Sequence, residues 1–243
     1  MPPAEGVQVF PLIGLGEVIP GTDLAALIAG AVAPADPRGP ELATGDVLVV
    51  TQKIVSKAEG RLVELDHADP QAKQALVQQE SVRILRQRGD LIISETRHGF
   101  ICANAGIDLS NVADGTAALL PEDSDRSARR IRAGLENALG IALGVIVSDT
   151  FGRPWRRGVT DVAIGCAGVA AVVDLKGTTD AGGRELVATE ICVADELASA
   201  AELVMGKDRG VPVAVVRGVP AEWLRSASVR AEVIRPPDED LFR

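Results

Sequence analysis

The sequence predicts an α+β protein, with mixed sheets and flanking helices. Short apolar runs rich in Val and Ile, at residues 47–51, 141–150 and 211–217, are too brief for helices and read as buried strands. Apolar residues recur at helical spacing in three other places, around residues 24–31, 128–138 and 193–204. Strand-like stretches also follow one another directly, as at 90–95 and 100–103, which argues against a doubly wound parallel sheet.

In chain order, residues 7–13 read as a first strand. A Gly-rich turn follows at 14–21. Thr22 is placed to cap a helix with Leu24, Leu27, Ile28 and Ala31 on its apolar face. Pro34, Pro37 and Pro40 mark a loop. Thr44-Gly-Asp46 turns into the strand 47–51, and residues 52–60 leave that strand carrying Lys53 and Lys57. Residues 61–65 are a further candidate strand. Asp69 and Pro70 fit the cap and first position of a helix reaching to Gly89, as one helix or two, because its apolar period is imperfect.

The stretches 90–95 and 100–103 pair around Arg97-His98-Gly99. Residues 104–111 are polar and irregular, and 117–120 form a short apolar piece. Ser124 or Asp125 caps a helix presenting Ala128, Ile131, Leu135 and Ala138, and Gly140 stands where a terminating left-handed glycine belongs. The strand 141–150 ends in Asp149 and Thr150. Residues 162–174 read as a strand followed by a strand or short helix, 178–184 as a Gly-rich turn, and 190–205 as a helix. A polar loop, 206–210, precedes the last strong strand. No linker divides the chain, so a single domain is expected over 1–243, with a core of about 9–218 and a charged tail, 219–243, whose end is loosely ordered.

Apolar residues make up 47% of the chain but aromatics only 2%, so the core must be built from Ala, Val, Leu and Ile. A net charge of −9 argues against nucleic acid as a partner, which needs a basic face. Cys102, Cys166 and Cys192 are odd in number and far apart, and match neither a disulfide framework nor a zinc spacing; they read as small buried residues of a reducing compartment. No apolar run approaches the ~18 residues of a membrane span, and the first residues lack a basic and an apolar region. A cytoplasmic protein with no membrane partner is expected.

Three polar clusters carry candidate chemistry. Asp149 and Thr150, at the carboxyl end of a buried strand, lie where open sheets place ligands, and an acid beside a hydroxyl suits Mg²⁺ or Mn²⁺. Arg153, Arg156 and Arg157 follow on the same stretch and match phosphate oxygens, or are simply solvated. Gln52, Lys53 and Lys57 follow another buried strand, as phosphate charges or as a solvated helix face. Asn104, Asp108, Ser110 and Asn111 share a glycine-containing loop, where Asp108 is a candidate second metal carboxylate, although such residues also build Asx turns. Two carboxylates around metal and several cations around phosphates are what phosphoryl transfer requires. Any nucleotide site is not of the common kinds: the sequence has no G-x-x-x-x-G-K-[ST] loop, and Gly14-Leu-Gly16 continues wrongly for a dinucleotide fingerprint. His67 and His98, the two histidines, read as solvated or structural.

These motifs together resemble the coenzyme F420-0:L-glutamate ligase (F420:γ-glutamyl ligase) family. The residues that carry the resemblance are Gly45-Asp-Val-Leu-Val-Val50, Ile54-Val-Ser-Lys-Ala-Glu-Gly-Arg61, Asn104-Ala-Gly-Ile-Asp-Leu-Ser-Asn-Val112, Ser148-Asp-Thr-Phe-Gly-Arg-Pro-Trp-Arg-Arg-Gly158, Ala163-Ile-Gly165, Gly183-Arg-Glu-Leu186, Val193-Ala-Asp-Glu-Leu197 and Val216-Arg-Gly218. The resemblance implies an intertwined homodimer with a family-specific mixed fold. It implies a GTP-dependent ligase that joins L-glutamate to F420-0 through an acyl phosphate, releasing GDP and phosphate, and that adds further γ-linked glutamates. Two Mg²⁺ or Mn²⁺ ions per site are expected, with K⁺ as a further candidate.

By the same resemblance, Asp108 and Asp149 hold metal and Thr150 holds a second metal; Asp108 and Asp149, with Arg153 and Arg156 of the phosphate-matching arginine cluster, are the candidate catalytic residues. Gly16, Glu17, Val18, Ile19, Gln52, Lys53, Lys57, Asn111, Lys207 and Asp208 fall on the nucleotide side. The chain departs from the pattern at Gln52 and Lys53, where relatives carry small hydroxyl residues, and in the short loop 206–210. Relatives that continue into a flavin-binding, nitroreductase-like domain have no counterpart expected here. The alternatives are a non-catalytic GTP- or F420-binding partner of a separate flavin enzyme, and a related ligase with a different acceptor.

Overall fold

The computed structural model describes residues 6–32, 41–110 and 112–241; the loop expected at Pro34, Pro37 and Pro40, and Asn111, lie outside the described residues. The chain begins with β1 (Gln8–Leu12) and α1 (Leu24–Ala31). β2 (Val47–Thr51) runs straight into α2 (Gln52–Ala58), and β3 (Leu62–Glu64) precedes α3 (Pro70–Glu80). A three-strand run follows: β4 (Ser81–Arg88), β5 (Leu91–Thr96) and β6 (Ile101–Ala103). After β7 (Thr116–Ala118) and α4 (Ser124–Leu139) come the two longest strands, β8 (Gly144–Arg153) and β9 (Arg156–Ala167). β10 (Val173–Asp174), β11 (Glu190–Ile191), α5 (Val193–Met205), β12 (Val213–Arg217) and α6 (Val229–Glu232) complete the chain. The architecture is mixed α+β, as expected.

The main sheet has the order β1-β12-β2-β8-β9. Only β2 and β8 run parallel; the other neighbours are antiparallel. Val47, Leu48, Val49 and Val50 of β2 are all fully buried, as are Val213 to Val216 of β12. Because successive side chains point to opposite faces, both faces of the sheet are covered. α5 packs across the sheet against β1, β12, β2, β8 and β9, while α4 packs on β8 and β9 and carries α1. Each fully buried Val or Leu contributes ~1.5–3 kcal/mol, and this core needs few aromatics.

A core of small residues permits close approach, and Gly165 shows how close. A Cβ there would stand 2.3 Å from the Ser124 carbonyl carbon, 2.4 Å from its oxygen and 2.7 Å from the Asp125 nitrogen. These are backbone atoms and cannot rotate aside. Gly165→Ala is expected to cost about 1–3 kcal/mol, read as a lowered urea midpoint. An unchanged midpoint would show that α4 is not seated so tightly on β9.

Some local expectations are corrected. Asp23, not Thr22, caps α1 by accepting from the Ala26 N–H; the Thr22 hydroxyl instead closes the preceding turn on Ile19. Asp123, not Ser124 or Asp125, caps α4, and Gly140 ends it at φ 70° as expected. The helix from Pro70 stops at Glu80 rather than reaching Gly89. There the Ser81 hydroxyl donates to the Val77 carbonyl at 2.5 Å, and Ser81 opens β4, which pairs with β5. Residues beyond Gly218 fold back on the core, burying Val229 completely.

Candidate active site

The parallel ladder between β2 and β8 ends at the pair Thr51↔Ser148. Beyond it β2 turns into α2, and β8 continues with β9 alone beside it. Asp149 and Thr150 therefore sit at the carboxyl end of the parallel pair, the expected place for a ligand. They do not end their strand, however, because β8 runs on to Arg153. A cleft of about 800 Å³ opens here, floored by Thr51, Asp149 and Thr150 and walled by α2, the 103–110 loop, the turn after β1 and residues 205–212.

Charge is concentrated on the floor. Asp149 accepts the Thr150 N–H at 2.8 Å. Burial, followed by the nearby Asp108 and Asp161 carboxylates, pushes its carboxyl up to about 7, against the pull of that N–H and of Lys207. Asp108 behaves oppositely. Burial alone would raise it, but the Ser110 N–H and hydroxyl, each at 2.7 Å, and the Lys53 ammonium at 2.9 Å hold it below the usual carboxylate range. The Asx turn expected at Asp108 is thus real, and it fixes a carboxylate at the cleft.

On the other side, the Lys207 ammonium donates to Thr150 Oγ1, to Asp161 Oδ1 at 2.9 Å, and lies 3.3 Å from Glu202 Oε1. Asp161 is 2% exposed and stands opposite Thr150 in the β8–β9 register. Sequence reasoning missed Asp161 and Glu202. A hairpin reading of 144–167 would have placed Asp161 opposite Thr150; Glu202 arrives only through the docking of α5.

The other expected site residues divide by position. Gly16, Glu17, Val18, Gln52, Lys53, Lys57, Lys207 and Asp208 line the cleft. Lys57 lines the cleft, and no ion pair to it is found among the described residues. Ile19 is 60% exposed outside the cleft, its backbone tied to Thr22. The Gln52 amide is turned inward, donating to Ser56 Oγ at 2.6 Å and to the Leu119 carbonyl at 3.1 Å, which makes it a clamp on the core. Asn111 lies outside the described residues.

The arginines are not where adjacency in sequence suggested. Arg153, Arg156 and Arg157 are exposed at the end of the β8–β9 hairpin and do not line the cleft. An extended strand advances about 3.3 Å per residue, so the pairing carries them away from Thr150. The histidines are structural: His98 stacks on Phe100 and contacts the Pro121 carbonyl, and His67 contacts the Thr116 carbonyl. All three cysteines are free, with burial pushing each thiol up to about 12, so none is a ready nucleophile.

Among the described residues, no three carboxylate, thiolate or imidazole groups close into a metal cage. The donors do fit a hard divalent ion of the kind held by one or two carboxylates and completed by substrate phosphates. Asp108, Asp149 and Thr150 supply only oxygen, and the Asp149 carboxyl, raised by burial and then by the neighbouring Asp108 and Asp161, has no cation bonded to it among the described residues. No helix among the described residues is long and apolar enough to cross a membrane.

Carboxylates and ammonium groups gathered in one cleft at a sheet's carboxyl end are the arrangement of an enzyme site for a small molecule. A family model described as F420-0:gamma-glutamyl ligase matches residues 13–218. The chain is 45% identical to the coenzyme F420:L-glutamate ligase of Methanothermobacter thermautotrophicus, over 98% of this chain and 97% of that one. It is 44% identical to the protein of the same name from Methanopyrus kandleri, over 93% and 94%, and 40% identical to that of Methanocaldococcus jannaschii, over 82% and 85%. The chain belongs to the F420-0:gamma-glutamyl ligase family and is a ligase.

Proposed function

We propose that this ligase joins L-glutamate to coenzyme F420-0 at the expense of GTP, and then adds further γ-linked glutamates. The observation that carries this reading is the gathering of Asp108, Asp149 and Thr150 with Lys53, Lys57 and Lys207 around one cleft. Relatives named for F420 and L-glutamate support the substrates. In the proposed route an acceptor carboxylate oxygen attacks the γ-phosphorus of GTP and GDP leaves. The glutamate nitrogen then attacks the acyl carbon, the C–O bond to phosphate breaks, and the amine proton is lost to solvent.

Lys57, free of a partner among the described residues, binds and orients phosphate. Lys53 holds Asp108 in its ionised form. Asp108, Asp149 and Thr150 would hold Mg²⁺ or Mn²⁺, which when bound neutralises charge developing on the transferred phosphoryl group. At about 800 Å³ the cleft has the size of a small-molecule binding site, which spans about 300–1,000 Å³. K⁺ is a further candidate cation. The family resemblance extends the reading to a cytoplasmic homodimer, with Trp155 on the hairpin, 86% exposed, as an apolar surface for contact. Arg153 and Arg156, beside Trp155, act at or near that contact.

Mass spectrometry of the purified protein incubated with F420-0, L-glutamate, GTP and Mn²⁺ tests the proposal. A product heavier by one or more glutamate residues, absent without GTP, is expected. A GTP-binding protein that makes no such product would overturn it.

A further inference from the structure

The hydroxyl of Thr150 has one proton to give, and it gives it to Asp161 Oδ1 at 2.7 Å. Only acceptor lone pairs then remain toward the cleft, so Thr150 offers its oxygen to a cation and cannot donate to a phosphate. The cation present on it is the Lys207 ammonium, which also takes Asp161 Oδ1 at 2.9 Å. Asp161 does not itself line the cleft. It is buried behind Thr150, with Ser148 Oγ donating to its second oxygen at 3.3 Å. A carboxylate this buried is retained where it is paired, and here every partner is either a cleft group or the strand beneath it.

We infer that Asp161 is a positioning residue: it turns Thr150 into a pure acceptor and holds the Lys207 ammonium on Thr150 as a resident counter-ion that competes with an incoming divalent ion. The inference rests on the reading of Thr150 as a metal-side residue and goes beyond it. Lys207 is suited to this exchange because its side chain is 57% exposed and Glu202, 3.3 Å from its ammonium, gives it another carboxylate to rest on. Lysine is a point charge on a flexible stem, able to give up one acceptor for another. When a nucleotide enters with its own positive ion, the released ammonium is free to meet phosphate from the same loop that carries Asp208.

The test is a Mn²⁺ titration followed by electron paramagnetic resonance, on the full chain, with and without a non-hydrolysable GTP analogue. Four proteins are compared: wild type, Lys207→Met, Asp161→Asn and the double variant. Without nucleotide, Lys207→Met is expected to bind Mn²⁺ more tightly than wild type, whereas loss of a mere phosphate contact would change nothing there. Adding Asp161→Asn to Lys207→Met is expected to weaken Mn²⁺ about tenfold or more, the usual cost of losing a group that orients a ligand. Lys207→Met binding no more tightly than wild type, or a double variant equal to Lys207→Met, overturns the inference. Should Asp161→Asn fail to fold, the Lys207→Met arm still decides, since that side chain is largely exposed. Absence of Mn²⁺ binding by wild type and Lys207→Met alike, with nucleotide present, is a different result: it sinks the metal reading under the proposed function as well.

Discussion

Asp149→Asn is expected to lower turnover by about 10³-fold or more while making the metal-free protein more stable at mildly alkaline pH. The two effects have one cause. The Asp149 carboxyl stands at about 7 in the fold against 3.8 for an unperturbed group, because it is buried and because Asp108 and Asp161 are nearby. Well below pH 4 both folded and unfolded chains carry the proton, and the site costs nothing. Between about pH 4 and pH 7 the unfolded chain ionises first, so this group's contribution to stability is lost as pH rises, and above the folded value the loss is complete. At about 1.4 kcal/mol per unit, the penalty is on the order of 4 kcal/mol. Asparagine keeps the shape and removes the charge. Melting curves in chelator should therefore place the variant above wild type near pH 8 and bring the two together near pH 4. Turnover at the wild-type rate would remove Asp149 from the chemistry. A variant no more stable at the higher pH would show that the Asp149 carboxyl is not held up by burial and its neighbouring carboxylates.

That cluster was only partly legible in the sequence, and the reason is geometric. Asp108, Asp149, Thr150, Lys53 and Lys57 each lie in a local motif beside a buried strand, and local order is enough to find them. Asp161 is brought to Thr150 by the register of a long hairpin, and Glu202 by the packing of a helix. Neither relation is written in any short window. The same hairpin explains the arginines: β8 continued past Thr150 as an extended strand, which leaves them exposed at its tip and outside the cleft lining.

The fold divides in the same way. β2, β12, α4 and α5 were readable because burial imposes a strong pattern on them. β4 was not, because most of its residues are exposed and nothing in Ser81–Arg88 separates a solvated edge strand from the end of a helix. Its identity comes from β5 alongside it. The cap of α4 shows a finer limit. Asp123, Ser124 and Asp125 are all cap-competent types, and only the path of the chain chooses among them. It assigns the cap to Asp123 and frees Asp125 for a second task.

Asp125→Ala is expected to be the most destabilising single change outside the cleft, at about 4 kcal/mol, or roughly 10 °C in melting temperature. Asp125 is 7% exposed in the first turn of α4, where a negative charge already favours the helix. One of its oxygens accepts both the Cys166 N–H of β9 and the Val229 N–H of α6, each at 2.8 Å; the other accepts the Arg230 N–H at 3.1 Å. A single carboxylate thus joins helix, sheet edge and returning tail. Alanine would leave buried N–H groups without an acceptor, each costing about 1–3 kcal/mol. Asparagine should fall between, because its one carbonyl oxygen can still serve Cys166 and Val229 while its amide meets the Arg230 N–H as donor against donor. Denaturant unfolding gives the ranking, and limited proteolysis locates the damage, with new cleavage expected around residues 225–235. Glu232 provides a second tie, accepting the Ala171 and Val172 N–H groups and pairing with Arg225, so the tail should loosen before the sheet does. An Asp125→Ala protein with wild-type stability and an uncut tail would show that the fold is held here by Val229 and its apolar neighbours alone.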